Sequence, residues 1–322
     1  MVERRLQHSL RRGSPHDLND SCRYVLSGGG KRLRAVLVLL ACRAVGGRVA
    51  QALDAGAAVE IMHNFTLVHD DIMDSAPARR GRPTVHIRWD SNNALLTGDV
   101  LLGTAYEVLL QTRRGDLRQQ LELFTAALIE VCRGQALDLE FERRRDVSVR
   151  EYFGMIEKKT ARLIAMAVEL GGMIGGGTSR QRDALHRYGH YLGRAFQLQD
   201  DLLDVVALER ELGKTIGGDI IERKRTYLLL TALERARGAD RRALEHLLRL
   251  PASSPALRAG AGRTRTVAAV TAIYRRYGVL EDTGRLVRRN TDRALDALRT
   301  LPPGEGRTML RWLAERLVGR SS

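Results

Sequence analysis

Leu67-Val68-His69-Asp70-Asp71-Ile72-Met73-Asp74 places three carboxylates among apolar residues. A counterpart lies far downstream, Phe196-Gln197-Leu198-Gln199-Asp200-Asp201-Leu202-Leu203-Asp204. Each is an Asp-Asp-x-x-Asp cluster whose apolar neighbours recur with helical spacing. In a helix, residues four apart share a face, with about 5–6 Å between Cβ atoms. Asp70 therefore projects with Asp74, and Asp200 with Asp204. Like charges so placed destabilise a bare helix, and carboxylates in apolar surroundings are costly unless a cation pairs with them. A single cluster of this kind reads most simply as a solvated face. Two matching clusters, both set in apolar helix, point to a shared site for a divalent cation.

Outward from the first cluster, the helical pattern reaches back to about Val49 and gives way to a Gly/Pro loop, Ser75 to Pro83, that carries Arg79 and Arg80. Further upstream, Ser14-Pro15 is a cap residue followed by proline at a first helical position. That helix predicts an end at Gly28-Gly29-Gly30, before Lys31-Arg32-Leu33-Arg34 and a buried apolar helix closing at Gly46-Gly47. Downstream, helical patterns run from about Ser91 to Gln111 and from Leu117 to about Glu142, with an interruption at Gly134-Gln135. Ser148 caps the next helix, which passes through Lys158-Lys159-Thr160 to the glycines at 171–177, and Ser179 starts the helix bearing the second cluster. Gly213 to Asp219 is a glycine-rich loop, and helices fill the rest, broken around Pro251–Pro255 and at Pro302-Pro303. No segment alternates as a strand and no short repeat appears. The fold class is all-α, in a single domain spanning 1–322, with the part after about 239 the least informative and a candidate packing appendage.

Composition agrees: of 322 residues only 5% are aromatic and 7 are Pro, while Ala, Leu and Arg abound, a mixture that suits helices. Cys22, Cys42 and Cys132 are odd in number and widely spaced, which argues against a disulfide framework or zinc site and for a reducing cytoplasm. The apolar run Ala35 to Cys42 is far short of the roughly 20 residues a membrane span needs, so no stable membrane insertion is expected, and the charged start lacks a signal-peptide core. A net charge of +15 invites a nucleic-acid reading. The arginines, however, scatter over every predicted helix without forming a stripe, and no nucleic-acid-binding signature occurs.

The five lysines cluster differently. Lys31 follows a triple glycine, Lys158-Lys159 precede Thr160, Lys214 lies in the second glycine-rich loop, and Lys224-Arg225 follow it. Taken singly, each such cation reads as a helix-end or surface charge. Glycine-rich loops let backbone approach a phosphate, and Lys or Arg donates charge-assisted hydrogen bonds to it. The Walker-type loop is absent. Magnesium keeps several waters and is held by one or two carboxylates plus substrate phosphates. Two acidic clusters and three cationic patches on helices therefore imply a diphosphate substrate bridged to the protein by Mg²⁺.

Here the chain resembles the trans-isoprenyl diphosphate synthases of the polyprenyl synthase family. The resemblance covers about 28–230 and rests on eight motifs in family order. They are Gly-Gly-Lys-Arg-Leu-Arg (29–34), His-Asp-Asp-Ile-Met-Asp (69–74), Arg-Arg-Gly-Arg-Pro-Thr-Val-His (79–86), Gly-Asp-Val-Leu-Leu (98–102), Gly-Gln-Ala-Leu-Asp (134–138), Lys-Thr-Ala (159–161), Phe-Gln-Leu-Gln-Asp-Asp-Leu-Leu-Asp (196–204) and Gly-Lys-Thr-Ile-Gly-Gly-Asp-Ile (213–220). The resemblance implies a bundle of long, mostly antiparallel helices around a deep central cavity, a homodimer, and head-to-tail condensation of isopentenyl diphosphate with an allylic diphosphate. It implies about three Mg²⁺ per site, held by Asp70, Asp74 and Asp200 with Asp71, Asp201 and Asp204 in support. Arg79, Lys159 and Lys214 would contact the allylic diphosphate, with Lys224 assisting. Lys31, Arg34, His63 and Arg80 would hold isopentenyl diphosphate, and Thr160 and Gln197 would offer oxygen dipoles to the allylic cation. His63 stands seven before Asp70, about 20° away on the wheel and close to the metal face; alone, it would read as a packed histidine.

Chain length is also a matter of resemblance. In the family, bulky residues a turn or so before the first cluster floor the cavity, and here those positions are Phe65 and Thr66. They point to geranylgeranyl diphosphate (C20), with farnesyl (C15) or a somewhat longer C25 product as alternatives. An ideal wheel puts Thr66 near the metal face and Phe65 well off it, where an ordinary core role is the competing reading. The other readings are a non-catalytic subunit on the same scaffold, a helical terpene cyclase, and a nucleic-acid binder. The six intact aspartates, and the Lys31/Arg34 site for a second diphosphate, argue against the first two. The chain departs from the family at Tyr227-Leu228, where many members carry Leu-Pro after the Lys-Arg-Thr run, so the local helix boundary is open.

Overall fold

The computed structural model describes residues 1–10, 15–206, 217–250, 254, 257 and 260–318. Its helices are α1 (Val2–Ser9), α2 (His16–Ser27), α3 (Leu33–Ala44), α4 (Leu53–Met73), α5 (Val85–Arg88), α6 (Ser91–Leu109), α7 (Leu117–Arg143), α8 (Val149–Ile156), α9 (Arg162–Ile174) and α10 (Ser179–Val206). After them come α11 (Gly218–Glu222), α12 (Tyr227–Arg235), α13 (Gly238–Arg249), α14 (Ala261–Arg276), α15 (Val279–Ala297) and α16 (Glu305–Val318). The all-α expectation holds. Extended structure among the described residues is one two-residue ribbon, Ala78–Arg79 against Arg82–Pro83, inside the stretch read as a loop. None of these helices is long and apolar enough to cross a membrane.

The chain divides into two compact units: 1–129 with 163–189 and 295–313, and 130–162 with 190–294 and the chain from 314 onward. In the first, α4 is the central helix, buried without a break from 55 to 65 and packed mainly on α6 and α3. A helix buried on all sides needs neighbours on all sides, and α3 (Ala35, Leu37, Val38, Ala41) and α6 (Leu101, Ala105, Val108) supply apolar ones. A 3₁₀ turn, Val49–Ala52, leads into α4, so the regular helix starts slightly later than the apolar pattern does. Asp90 caps α6 by accepting the Asn93 N–H at 2.8 Å.

In the second unit, Ser148 caps α8 through a reciprocal bond pair with Glu151, as its sequence predicts. One apolar cluster joins Phe141, Tyr152, Ile156, Leu198, Tyr227, Leu230 and Val287. A second joins Val205 of α10 to Leu228, Leu244, Val270, Ile273 and Tyr274. Residues beyond 239 thus pack directly against the end of the helix that carries the second acidic cluster. Thr226 caps α12, and Tyr227 takes the first helical position without a proline.

The expected interruption at Gly134-Gln135 is not there; α7 runs unbroken from Leu117 to Arg143. The glycine serves a contact: a Cβ at 134 would stand 2.3 Å from the Lys159 backbone nitrogen. The segment it admits, Glu157–Ala161, winds as a π-helix. On its other side, a Cβ at Gly193 would lie 2.4 Å from the Ala161 Cα. The expected cap at Ser14, the start of the Gly213–Asp219 loop including Lys214, and most of the Pro251–Pro255 break lie outside the described residues.

Candidate active site

Both acidic clusters end their helices: Asp70 and Asp71 lie in the last turn of α4 with Asp74 at its C-cap, and Asp200, Asp201 and Asp204 close α10. The C-terminal end of a helix carries partial negative charge, which repels carboxylates. Neither position favours helix stability.

In the first unit the middle carboxylate, Asp71, is buried and accepts the Arg79 Nε–H at 2.7 Å. Burial raises its pKa, with Arg79 opposing that rise. Asp70 is half-buried and Asp74 exposed. The neighbouring ribbon turns through Arg80 in the left-handed region (φ 53°), and Arg80 Nη1 donates to the Gly29 carbonyl at 2.6 Å. Gly30 sits at φ 110°, in the left-handed region that favours glycine. Arg32 donates to Glu3 at 3.0 Å and lies 3.9 Å from buried Glu60.

Arg34 is crowded in beside them. Withdrawal from water lowers its pKa to about 10, with Arg80 reinforcing the drop and Glu60 opposing it. Its buried Nε has no partner. His63 is pushed well below 6.5, first by burial and then by the charges of Arg34, Arg80, Arg79 and Arg32, so it is a neutral donor and acceptor near pH 7. A neutral imidazole among four guanidiniums, with an unpartnered donor beside it, is an arrangement that can receive an anion. Lys31 stands exposed at the entry to α3.

In the second unit a hydrogen-bonded chain runs through the middle carboxylate. Thr160 Oγ1 donates to Gln197 Oε1 at 2.7 Å, Gln197 Nε2 donates to Asp201 Oδ1 at 2.8 Å, and Tyr152 Oη donates to Asp201 Oδ2 at 2.7 Å. Burial raises the Asp201 pKa to about 7, against the pull of these two donors. Asp204 accepts from the Gly218 and Asp219 amides at 3.2 and 3.0 Å, while Asp200 stays exposed. Lys159 donates to Asp138 at 2.6 Å. Lys224 lies 2.9 Å from Glu222 and 3.9 Å from Asp219, and burial raises the Asp219 carboxyl well above its ordinary range.

The structure thus gathers Arg34, His63, Arg79, Arg80 and Asp71 in one unit, and Lys159, Thr160, Gln197, Asp201 and Asp204 in the other. Phe65 is buried with its ring edge-on to His69, centroids 4.8 Å apart. Thr66 Oγ1 turns back to the His63 carbonyl at 2.8 Å. Sequence reasoning missed Asp138, Tyr152, Glu60 and Asp219 as partners of these groups. Asp138 ends the quoted Gly-Gln-Ala-Leu-Asp motif and Asp219 the glycine-rich loop, so both were visible as letters. Tyr152 and Glu60 carried no local signal.

Comparison with known proteins follows the same lines. Residues 15–258 match the family model described as polyprenyl synthetase. A short chain isoprenyl diphosphate synthase of Methanothermobacter thermautotrophicus is 38% identical, over 99% of this chain and 95% of its own. A geranylfarnesyl diphosphate synthase of Natronomonas pharaonis is 37% identical, over 95% and 91%. A crystal structure of geranylgeranyl pyrophosphate synthase superposes with a TM-score of 0.93 at 35% identity, covering 100% of this chain and 97% of that one. The structure of a Caulobacter crescentus polyprenyl synthase complexed with calcium and isoprenyl diphosphate gives a TM-score of 0.89 at 30% identity, covering 100% and 94%.

Proposed function

The chain belongs to the polyprenyl synthetase family, and from that membership we propose that it condenses isopentenyl diphosphate head-to-tail with an allylic diphosphate, most productively to geranylgeranyl diphosphate. At the coarser level it is a trans-prenyl diphosphate synthase, a prenyltransferase. The observation that carries the reading is the pair of aspartate clusters, each closing a helix at its electronegative end. In our reading the whole chain is one catalytic domain, and the clusters serve diphosphate binding through metal.

The donors fit a hard divalent cation: carboxylate oxygens are the ligands that Mg²⁺ and Ca²⁺ take. Asp70, Asp74 and Asp200 would hold it, with Asp71, Asp201 and Asp204 braced behind them by the hydrogen bonds above. Bound Mg²⁺ would neutralise charge on the departing diphosphate.

The chain's own groups do the rest. Arg79, Lys159, Lys214 and Lys224 bind the allylic diphosphate. Lys31, Arg34, His63 and Arg80 bind isopentenyl diphosphate, and His63, being neutral, adds a hydrogen bond without adding repulsion. Thr160 and Gln197 present oxygen dipoles to the developing cation, a fixed form of charge stabilisation. Phe65 and Thr66 limit the product. Leu95, Leu96 and Val100, exposed along one side of α6, support a homodimer, and three cysteines outside any disulfide are in keeping with the cytoplasm.

The test is incubation with isopentenyl diphosphate and allylic primers, with and without Mg²⁺, and chromatography of the dephosphorylated products. A C20 alcohol dependent on metal is the expected result. A C25 alcohol would match the Natronomonas relative's name and correct the length alone. No elongation from any primer sinks the reading.

A further inference from the structure

Gln197 is a primary amide, and an amide serves a developing cation only when its oxygen, not its nitrogen, faces that cation. Something must decide which way round it sits. Thr160 cannot, because a hydroxyl accepts as readily as it donates. The carboxyl of Asp201 can: with Tyr152 donating to its Oδ2, its Oδ1 accepts the amide Nε2–H at 2.8 Å, which commits the amide nitrogen to that side and the oxygen to the side of Thr160.

Asp201 lies four residues along α10 from Gln197, on the same helix face, so nothing in the helix fixes its plane. Tyr152 does. Its hydroxyl takes the other oxygen, Oδ2, at 2.7 Å. The ring is 1% exposed and held edge-on by Phe153, centroids 5.5 Å apart, with Tyr227 at 6.4 Å. Both carboxylate oxygens are thereby engaged by neutral donors on opposite sides.

We propose that Tyr152 is a positioning residue for the prenyl-transfer reaction: its phenol orients Asp201, and through Asp201 fixes the Gln197 amide with its oxygen toward Thr160. The proposal rests on the prenyltransferase reading, in which Gln197 meets the allylic cation.

The experiment is a cycle of Tyr152→Phe, which keeps the ring and removes one hydroxyl, with Gln197→Ala, which removes the amide it positions. In the otherwise intact protein Tyr152→Phe is expected to lower kcat about tenfold, the worth of one hydrogen bond to a charged group. KM for isopentenyl diphosphate should stay within about twofold. In the Gln197→Ala background the same change is expected to cost less than about twofold, because residues acting as a unit are not additive. The same cycle read by urea unfolding needs no turnover, and there too the loss from Tyr152→Phe is expected to shrink once Gln197 is gone. Equal losses in both backgrounds, in either readout, or no kcat loss at all, overturn the proposal. If the unmodified protein elongates no primer, the functional reading falls, and the unfolding cycle still decides whether Tyr152 acts on Gln197.

Discussion

Replacing Asp74 by Asn separates the two costs that its position combines. Asp74 is the exposed C-cap of α4, three and four residues beyond Asp71 and Asp70. Without a cation, its charge is opposed by the helix dipole, by about 0.3–1 kcal/mol, and by each like neighbour at helical spacing, by about 0.2–0.5 kcal/mol. Neutralising it should therefore stabilise the metal-free fold by about 0.7–2 kcal/mol. With an unfolding entropy of about 2.1 cal/mol/K per residue, 322 residues convert that to a rise in Tm of about 1–3 °C. The assay is thermal unfolding of Asp74→Asn beside the unmodified protein in chelator, repeated with Mg²⁺ and inorganic pyrophosphate. In chelator the variant should melt higher. With metal and pyrophosphate the order should reverse, because a ligand that binds the native state stabilises it in proportion to affinity. Turnover should fall about a hundredfold or more, the scale of losing one charge-stabilising group. A variant that melts lower in chelator, or that keeps full turnover, would refute the argument that the cluster sacrifices helix stability for a cation.

Three further outcomes follow from individual contacts. Phe65→Ala should lengthen the prenyl product, read by chromatography, at a stability cost of about 3–5 kcal/mol for a buried ring; an unchanged product distribution would remove Phe65 from the floor of the site. His63 has a folded pKa well below 6.5, so its contribution to stability is present above pH 6.5 and is lost as pH falls from there toward the folded value, at up to about 1.4 kcal/mol per pH unit. His63→Gln should flatten the acid limb of the urea midpoint against pH, and an identical slope in both proteins would show that His63 does not titrate as stated. Gly134→Ala places a methyl 2.3 Å from the Lys159 nitrogen, which should cost about 1–3 kcal/mol and cut turnover by moving the π turn; a neutral effect on both would mean that α7 can simply shift aside.

What the sequence made legible was local. Apolar residues at helical spacing around Asp70–Asp74 and Asp200–Asp204 identified both acidic helices, and Ser148 marked the start of its helix, because those signals lie within a turn or two of chain. What it hid depends on contacts between distant segments. Gly134 looks like a break in a string of letters, but in the fold it is the only residue type that admits the backbone at Lys159. The π turn at Glu157–Ala161 has no compositional mark, since it is set by α7 and α10 closing on it through Gly134 and Gly193. The family resemblance cast Asp71 and Asp201 as supports for the metal-holding aspartates, without saying what they touch. Their distinct roles appear only once Arg79, Tyr152 and Gln197 are seen to occupy their oxygens.

That distinction gives both clusters the same internal logic. In Asp-Asp-x-x-Asp the second residue points about 100° away from the first on the helix, so it turns toward the protein while the outer faces stay open. Asp71 and Asp201 are accordingly the buried members, at 6% and 4% exposure. Burial raises the pKa of both carboxyls, and each recruits donors that oppose that rise and fix its orientation: a guanidinium for Asp71, a phenol and an amide for Asp201. The recruited groups, Arg79 and Gln197, are themselves residues assigned to substrate in the reading above. The middle aspartate thus converts the rigidity of its helix into the orientation of a neighbouring side chain. This predicts a difference between the two middle positions. Asp71→Asn should disturb binding of the allylic diphosphate through Arg79 and raise its KM, whereas Asp201→Asn frees the Gln197 amide to turn and should act on kcat. The opposite assignment of KM and kcat effects would break the parallel.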